Sequence, residues 1–501
     1  MKWLDRHHWL WLIIISPFLV FPNSNRSLAL LVIPALWLIH LWVNRQENIK
    51  PKIENGKLKL ENSINKIEDS TLKIENSTEK TADPDFKKGF PTTPMNLSLL
   101  LLSLMLLISL WATYDINLSL EKISGVVLGL GVFFAVVRES KRPLGWWLSL
   151  VAFLVGGFGW ALIGFLGTNW QMRFNFLVPF VSRIPNLISG VPGLETGLQH
   201  NAVGGTLLWV LPLFLTLSVY ASKPSTGSNS YLIVLPKIFR GTRAKWALRL
   251  LLWLSTLFII SVLILTQSRG TYLTFGITVI VMLLIVLPVR WRWRLLLGLV
   301  LAAVLLTVFL FQSNGWEGFI SLLGLKEQAG FSLDSLASRL EIWPRAVSGV
   351  QNFPFTGMGM NTFREIVHIL YPLFSISPDI DIAHAHNEFL QAALDLGIPG
   401  LIAFISIYII AFWMLVKVWQ KPFVVEASTR TSEERITFII SQDTVLKKVY
   451  VLGLGGGLFG HLIFGMTDAI SLGAKPGIFF WLLLGLIVGL YNRIEDIKLA
   501  N

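Results

Sequence analysis

A short run before residue 390 holds the densest set of side chains that could do chemistry: Asp379, Asp381, His384 and His386. In an extended segment the two aspartates and one histidine would share a face and could bind a metal ion, whereas in a helix the two histidines would point apart. The other possibility is that one histidine is a general base, since imidazole has a reference pKa of about 6.5. We predict a base and no metal site.

Arg269 lies in a hairpin, Thr266 to Thr271, that barely separates two apolar segments. Its guanidinium must therefore lie at the rim of a bilayer. It could be an anchor whose charged end extends to the interface. It could equally bind a phosphate group at headgroup depth, because guanidinium and phosphate pair with matching geometry.

A segment that starts at Ser332 predicts an amphipathic helix with Ser332 as its N-cap. We interpret its apolar stripe as a packing surface formed by Leu333, Leu336, Leu340, Trp343 and Val347. Arg339 in this helix is either a headgroup-facing arginine or a ligand-binding one. Arg345 follows Glu341 by four residues, so we expect these two to pair. Further on, Gly357-Met358-Gly359 predicts a tight turn rather than a phosphate loop.

The composition sets the class of protein that must position these residues. Of 501 residues, 53% are hydrophobic and only 14% are charged, whereas soluble domains carry about 25% charged residues. A cytosolic enzyme and a secreted domain are excluded. There is no cysteine, which excludes disulfides, thiol catalysis and zinc–thiolate sites.

A helix that spans a bilayer needs about 20 apolar residues. Twelve apolar segments therefore predict an all-α, polytopic membrane protein with about twelve transmembrane helices. The segments are 7–22, 27–43, 97–113, 123–137, 144–167, 203–221, 246–266, 271–289, 295–312, 396–416, 449–466 and 477–491. Most of the 42 lysines and arginines fall in alternate loops, which predicts that both termini are cytoplasmic. The net charge of +12 is therefore a topology signal rather than a nucleic-acid site.

The domain organisation follows from these segments. Two helices (1–43) precede a linker (44–94) with a seven-residue repeat of Lys-Ile/Leu-Glu-Asn/Asp, which we interpret as polar and disordered. Helices 3–9 (95–312) lead to a long external loop (313–395) carrying short helices, and helices 10–12 (396–501) follow. Loops this long are usually functional, so we expect the active site there.

Several motifs, in this order and spacing, resemble those of the bacterial O-antigen ligases and O-antigen polymerases. The resemblance covers roughly residues 250–420. It rests on Ser268-Arg269-Gly270, Arg339-Leu340-Glu341-Ile342-Trp343, Pro354 to Phe363, His386-Asn387-Glu388-Phe389-Leu390-Gln391 and Leu396-Gly397-Ile398-Pro399-Gly400, with a weaker match at Gln199-His200-Asn201.

The resemblance implies a GT-C-type glycosyltransferase of the bacterial inner membrane. It would move a glycan from a polyprenyl diphosphate at the outer leaflet to a lipid A–core sugar, as a ligase, or to another lipid-linked repeat, as a polymerase. Arg269 and Arg339 would hold the diphosphate and His386 would be the base, without a metal or any other cofactor. The secondary candidates are His384, Asn387, Glu388, Arg345 and Asn201.

Two other classes stay open. A small-anion transporter of the bicarbonate type would place ionisable residues within the membrane. The predicted spans contain no carboxylate, and His461 lies in a glycine-rich stretch, 453–461, that favours close helix packing. A scaffold would not need the set of Arg269, Arg339 and His386. We therefore favour an enzyme.

Overall fold

The computed structural model describes residues 91–188 apart from 171, 173 and 175, then 197–222, 242–322, 336–420 and 444–499. These residues form helices and one two-residue parallel bridge of β1 with β2. In chain order they are α1 Asn96–Ala112, α2 Ile116–Glu139, α3 Pro143–Gly167, β1 Thr168–Asn169, α4 Val178–Val181, β2 Leu198–Gln199, α5 His200–Ser222, α6 Thr242–Leu265, α7 Arg269–Val286, α8 Val289–Leu322, α9 Leu336–Asn352, α10 Phe363–Leu370, α11 Glu388–Gln420, α12 Thr444–Phe464, a 3-10 turn Lys475–Gly477 and α13 Ile478–Leu499.

Each predicted apolar segment from 97–113 onward overlaps one of these helices. Eight of the described helices are long and apolar enough to cross a membrane, and α1 is a shorter apolar helix. The chain is therefore an all-α integral membrane protein. The segments 7–22 and 27–43 and the linker 44–94 lie outside the described residues, and the total of twelve spans stays a prediction.

The centre of the bundle is α5, which packs tightly against α12. Glycines on α12 make this close approach possible. A Cβ on Gly457 would lie 2.3 Å from the carbonyl oxygen of Trp209, and one on Gly453 would lie 2.6 Å from Leu213. The glycine-rich stretch thus serves close helix packing, as the sequence predicted, and the ring of His461 stacks on Trp209 at 4.0 Å.

The loop between α9 and α10 is fixed to α11 by two glycines in the left-handed region. Gly357 has φ +69° and Gly397 has φ +69°, and the two backbones touch. Met358 N donates to Leu394 O at 2.7 Å, and Ile398 N donates to Pro354 O at 2.7 Å. The predicted tight turn is confirmed. Helix α11 begins before the predicted segment 396–416 and is kinked at Gly397.

The amphipathic helix is confirmed as α9, but the predicted packing stripe is wrong. Leu340 is 53% exposed and Val347 is 42% exposed, whereas Ile342 and Ala346 are fully buried. The reason is the tight contact with α11, where a Cβ on Gly349 would lie 2.7 Å from Leu394. A close helix approach selects small residues, so the leucines face away from it. The predicted N-cap Ser332 and the stripe residue Leu333 lie outside the described residues.

Because Gly357 and Gly397 are in contact, a side chain at either position should strongly destabilise the fold. Gly397→Ala should lower the free energy of unfolding by about 2 kcal/mol or more, since left-handed backbone costs a side chain ~1–2 kcal/mol and the new Cβ would lie 2.6 Å from Phe355 O. Thermal unfolding in detergent measures this. The control is Gly276→Ala in α7, where a Cβ would meet no atom within 4 Å. It should leave the midpoint unchanged or raise it. Equal midpoints for the two variants would contradict the account.

Candidate functional site

The two histidines of the long loop lie next to each other in a non-helical segment before α11. His386 N donates to His384 Nδ1 at 3.1 Å, and the ring centroids are 4.4 Å apart. The backbone of His386 has φ +47°, which side chains rarely adopt. Ile382 and Ala385 anchor the segment in a small hydrophobic core shared with α9 and α10. Because the segment is not helical, the two rings converge rather than point apart.

Asp468 is the residue that sequence reasoning missed. Its Oδ1 lies 3.2 Å from His384 Nε2 and 3.9 Å from His386 Nδ1, and the residue is 1% exposed. It follows the glycine-rich helix α12, far from the histidines in sequence. The only available signal was an acidic residue directly after an apolar span. A carboxylate beside an imidazole is the pairing found in other histidine-based sites.

The same three side chains also offer a set of metal-ligand types. One ligand atom from each of His384, His386 and Asp468 lies within 4.8 Å of the others, and all three residues are buried. Histidine nitrogens and a carboxylate oxygen are ligands that zinc accepts. The geometry therefore suits either a carboxylate–histidine base or a divalent ion.

The aspartates of the predicted metal alternative lie elsewhere. Asp381 forms an ion pair with Arg364, whose Nε is 2.9 Å from Asp381 Oδ1. Asp379 contacts Ser377 Oγ at 3.4 Å, and His368 contacts Ile380 O at 3.0 Å. The predicted alternative, in which Asp379, Asp381 and one histidine share a face, is therefore wrong. These residues shape the loop instead.

Asn387 caps α11 and ties it to the turn after α12. Its Oδ1 accepts hydrogen bonds from Phe389 N and Leu390 N, both at 3.0 Å. Its Nδ2 donates to Met466 O at 3.2 Å. Asn387 is thus a cap and a tether, a common role for asparagine at a helix start.

Glu388 continues this tether from inside the bundle. Its backbone N donates to Gly465 O at 2.6 Å, and its Oε1 accepts from Ser471 N at 2.7 Å and from Ser471 Oγ. Its Oε2 lies 3.4 Å from His461 Nδ1. These hydrogen bonds hold the turn after α12 at Gly465 and Ser471, on both sides of Asp468. Glu388 therefore positions Asp468 and is itself 2% exposed.

A second buried network supports the histidine segment from behind. Ala385 N donates to Gln391 Oε1 at 2.8 Å, and Gln391 Nε2 donates to Asp395 Oδ1 at 2.8 Å. The same Oδ1 accepts from Asn361 N at 3.1 Å. This chain of bonds links the histidines to the turn that the glycines Gly357 and Gly397 hold. The network was not predicted from the sequence.

Arg339 lies on α9, one turn before a contact with the histidine segment. Trp343 Nε1 donates to Ala385 O at 3.1 Å, and residues four apart share a helix face. Arg339 Nε is buried and has no hydrogen-bond partner among the residues that the structure describes. The structure thus brings this predicted arginine to the side of α9 that faces the histidines.

Arg345 and Glu341 hold the loop after α10. Arg345 Nε donates to Pro372 O at 3.3 Å, and its guanidinium lies 5.2 Å from the ring of Phe374. Glu341 accepts from Phe374 N and, at 3.1 Å, from Ser375 N. Partial burial raises the pKa of Glu341, but these hydrogen bonds and the charge of Arg345 outweigh it, so the pKa lies below its ordinary value. Arg345 is thereby placed in the loop and not at the histidines.

Arg269 is the first residue of α7, with Ser268 as the N-cap. Its side chain is exposed. A Cβ on Gly270 would lie 3.1 Å from Thr467 Oγ1, so the start of α7 abuts the residue that precedes Asp468. The predicted arginine and the histidine pair therefore belong to one end of the bundle.

Asn201, the weakest of the predicted candidates, lies in the first turn of α5 and is 5% exposed. A Cβ on Gly204 would lie 2.7 Å from Thr271 Oγ1, so the starts of α5 and α7 touch. The starts of α7 and α11 thus lie against the turn that carries Asp468, and the start of α5 lies against the start of α7. Helix N-termini attract negative charge.

Residues 254–405 match the family model described as O-antigen ligase. The O-antigen ligase resemblance is confirmed over this stretch. The matched region contains Arg269, Arg339 and His386, while Asn201 and Asp468 lie outside it. No curated protein matches the chain.

Proposed function

We propose that the protein transfers a glycan from a polyprenyl diphosphate donor to an acceptor sugar at the outer leaflet of a bacterial inner membrane. The observation that carries this proposal is the buried contact of Asp468 with His384 and His386, at the end of the bundle where Arg269 begins α7. A base beside a carboxylate, close to a phosphate-binding cation, suits glycosyl transfer with diphosphate as leaving group.

In this reaction His386 takes the proton from the acceptor hydroxyl. The hydroxyl oxygen bonds to the anomeric carbon while the bond from that carbon to the diphosphate oxygen breaks, and the electron pair leaves with the diphosphate. His386 Nδ1 lies 3.9 Å from Asp468 Oδ1, on the side of the ring toward the carboxylate, and in this proposal Nε2 receives the proton. Asp468 then stabilises the imidazolium, as carboxylates do in other histidine-based sites. His384 orients His386 because its Nδ1 accepts a hydrogen bond from His386 N.

The departing diphosphate gains negative charge, which Arg269 and Arg339 offset. Arg339 Nε, which has no hydrogen-bond partner among the described residues, supports this role, since a buried donor left without a partner costs about 1–3 kcal/mol that a bound phosphate would recover. The starts of α5, α7 and α11 add positive potential at the same place. Two arginines and these helix ends make a metal ion unnecessary.

The distribution of charge supports the outer leaflet. The opposite end of the bundle carries the basic turns 138–142 and 290–294, and basic loops remain in the cytoplasm. In this proposal the histidines lie on the outer side, and the cytoplasmic location of both termini stays a prediction. This orientation fits a donor that brings its own activation and needs no nucleotide.

A deletion strain complemented with His386→Ala tests the proposal and separates ligase from polymerase. We expect surface glycan to disappear, since a positioned base contributes about 10²- to 10⁴-fold. Accumulated long polyprenyl-linked chains would identify a ligase, whereas retained single repeats would identify a polymerase. The control is His368→Ala, whose ring contacts Ile380 O away from the site. Full complementation by His386→Ala would contradict glycosyl transfer and favour the transporter or the scaffold.

Metal independence is tested on the purified protein. We expect less than one tenth of an equivalent of zinc, manganese or magnesium by mass spectrometry (~0.1 is the level of adventitious binding), and unchanged transfer after treatment with EDTA, because Arg269 and Arg339 take the charge that a metal would otherwise take. One equivalent of metal, lost in Asp468→Asn together with activity, would show that the buried trio is a metal centre instead.

A further inference from the structure

Helix α11 is folded back on itself at Gly397. In a straight α-helix Phe389 and Phe404 would lie about 22 Å apart along the axis, since each residue adds ~1.5 Å. Their ring centroids are only 6.0 Å apart, and the rings of Phe389 and Tyr408 are 6.3 Å apart. Gly397, at φ +69°, interrupts the helix between them. The N-terminal segment of α11, residues 388–396, therefore lies alongside the longer part of the same helix, with its first turn next to Tyr408.

One histidine side chain on α12 joins the two parts of α11. His461 is fully buried, and its Nδ1 lies 3.2 Å from Tyr408 Oη and 3.4 Å from Glu388 Oε2. Both oxygens thus face the same ring nitrogen. The stack of the ring on Trp209, with centroids 4.0 Å apart, fixes the plane of the imidazole. Polar groups within a membrane bundle are costly to bury, and such residues are usually functional.

Glu388 connects this contact to the turn that carries Asp468. Its Oε1 accepts hydrogen bonds from Ser471 N at 2.7 Å and from Ser471 Oγ, while its backbone N donates to Gly465 O at 2.6 Å. Its Oε2 makes no hydrogen bond within the described part of the chain, and the polar group that faces it is the ring of His461. Rotation of the carboxylate would break the bonds to Ser471 and release one side of the turn.

We propose that His461 and Tyr408 are positioning residues for glycosyl transfer. They hold the N-terminal segment of α11 in its folded-back place. His386 precedes Glu388 by two residues, so the same contact sets where His386 meets Asp468. The inference rests on the proposed function, because it takes His386 and Asp468 as the base and its partner. Neither His461 nor Tyr408 touches the donor or the acceptor, and both act through Glu388.

Two substitutions of His461 separate positioning from packing. Asparagine places an amide where Nδ1 lies, whereas glutamine places one near Nε2, which has no hydrogen-bond partner among the described residues. Both variants lose the ring stack on Trp209, so each is the matched control of the other.

Transfer is measured with purified protein in detergent, using membrane extracts of the deletion strain as the source of donor and acceptor. We expect the kcat of His461→Asn to stay within about threefold of the wild type and that of His461→Gln to fall about tenfold or more, because a displacement of ~1 Å at the reacting groups can cost on the order of 10²-fold. The apparent KM for the donor should not change in either variant, since Arg269 and Arg339 are left in place.

The other outcomes separate this inference from the proposed function. A fall in kcat for His461→Asn as large as that for His461→Gln would overturn the inference, because loss of packing would then explain both. Wild-type kcat in His461→Gln would overturn it as well, while transfer itself stands. No transfer by the wild type would overturn the proposed function.

Tyr408→Phe tests the same contact without any change at His461. It removes only the phenol oxygen, and the ring keeps its packing against Phe404 at 5.3 Å and Phe480 at 5.4 Å. We expect kcat to fall about threefold or more, the effect of one lost hydrogen bond. The double variant with His461→Gln should fall no further than His461→Gln alone, because residues that act through one contact are not additive. Wild-type kcat in Tyr408→Phe, or additive losses in the double variant, would overturn the inference.

Discussion

The carboxylate of Asp468 between two histidines is the contact on which the site depends. A charge buried this deeply is tolerated only when it is paired and hydrogen-bonded. The turn that carries Asp468 is held on both sides. Asn387 bonds to Met466, and Glu388 bonds to Gly465 and Ser471. The start of α11 directly follows the histidine segment and also bonds to the turn that carries Asp468. Helices α11 and α12 therefore cannot separate without breaking the contact between Asp468 and the histidines.

Small residues bring the remaining elements within reach. Gly357 and Gly397 let the loop after α9 lie directly on the kink of α11. Gly204 lets the start of α5 approach Thr271 of α7, and Gly270 lets the start of α7 approach Thr467, next to Asp468. Each approach leaves no room for a Cβ without movement of a neighbour. Close packing at these glycines therefore helps to set the position of the arginines relative to the histidines.

The sequence was sufficient for what local chemistry encodes. Apolar segments located the described spanning helices, and the order of the motifs pointed to Arg269, Arg339 and His386 within the stretch that the family model matches. Long-range geometry was not readable in this way. Asp468 has no neighbour in sequence that marks it, and the leucine stripe of α9 gave the wrong face because contact with α11 selects Gly349 and other small residues.

The most direct test is the turnover number of purified Asp468→Asn in detergent, with Asp381→Asn as the control. Asparagine keeps the shape of the side chain and removes the charge, whereas Asp381 pairs with Arg364 away from the histidines. We predict that kcat of Asp468→Asn falls by about 10²-fold or more at an unchanged thermal midpoint, while Asp381→Asn retains wild-type turnover. Wild-type kcat in Asp468→Asn would contradict the claim that this carboxylate and His386 act together as the base.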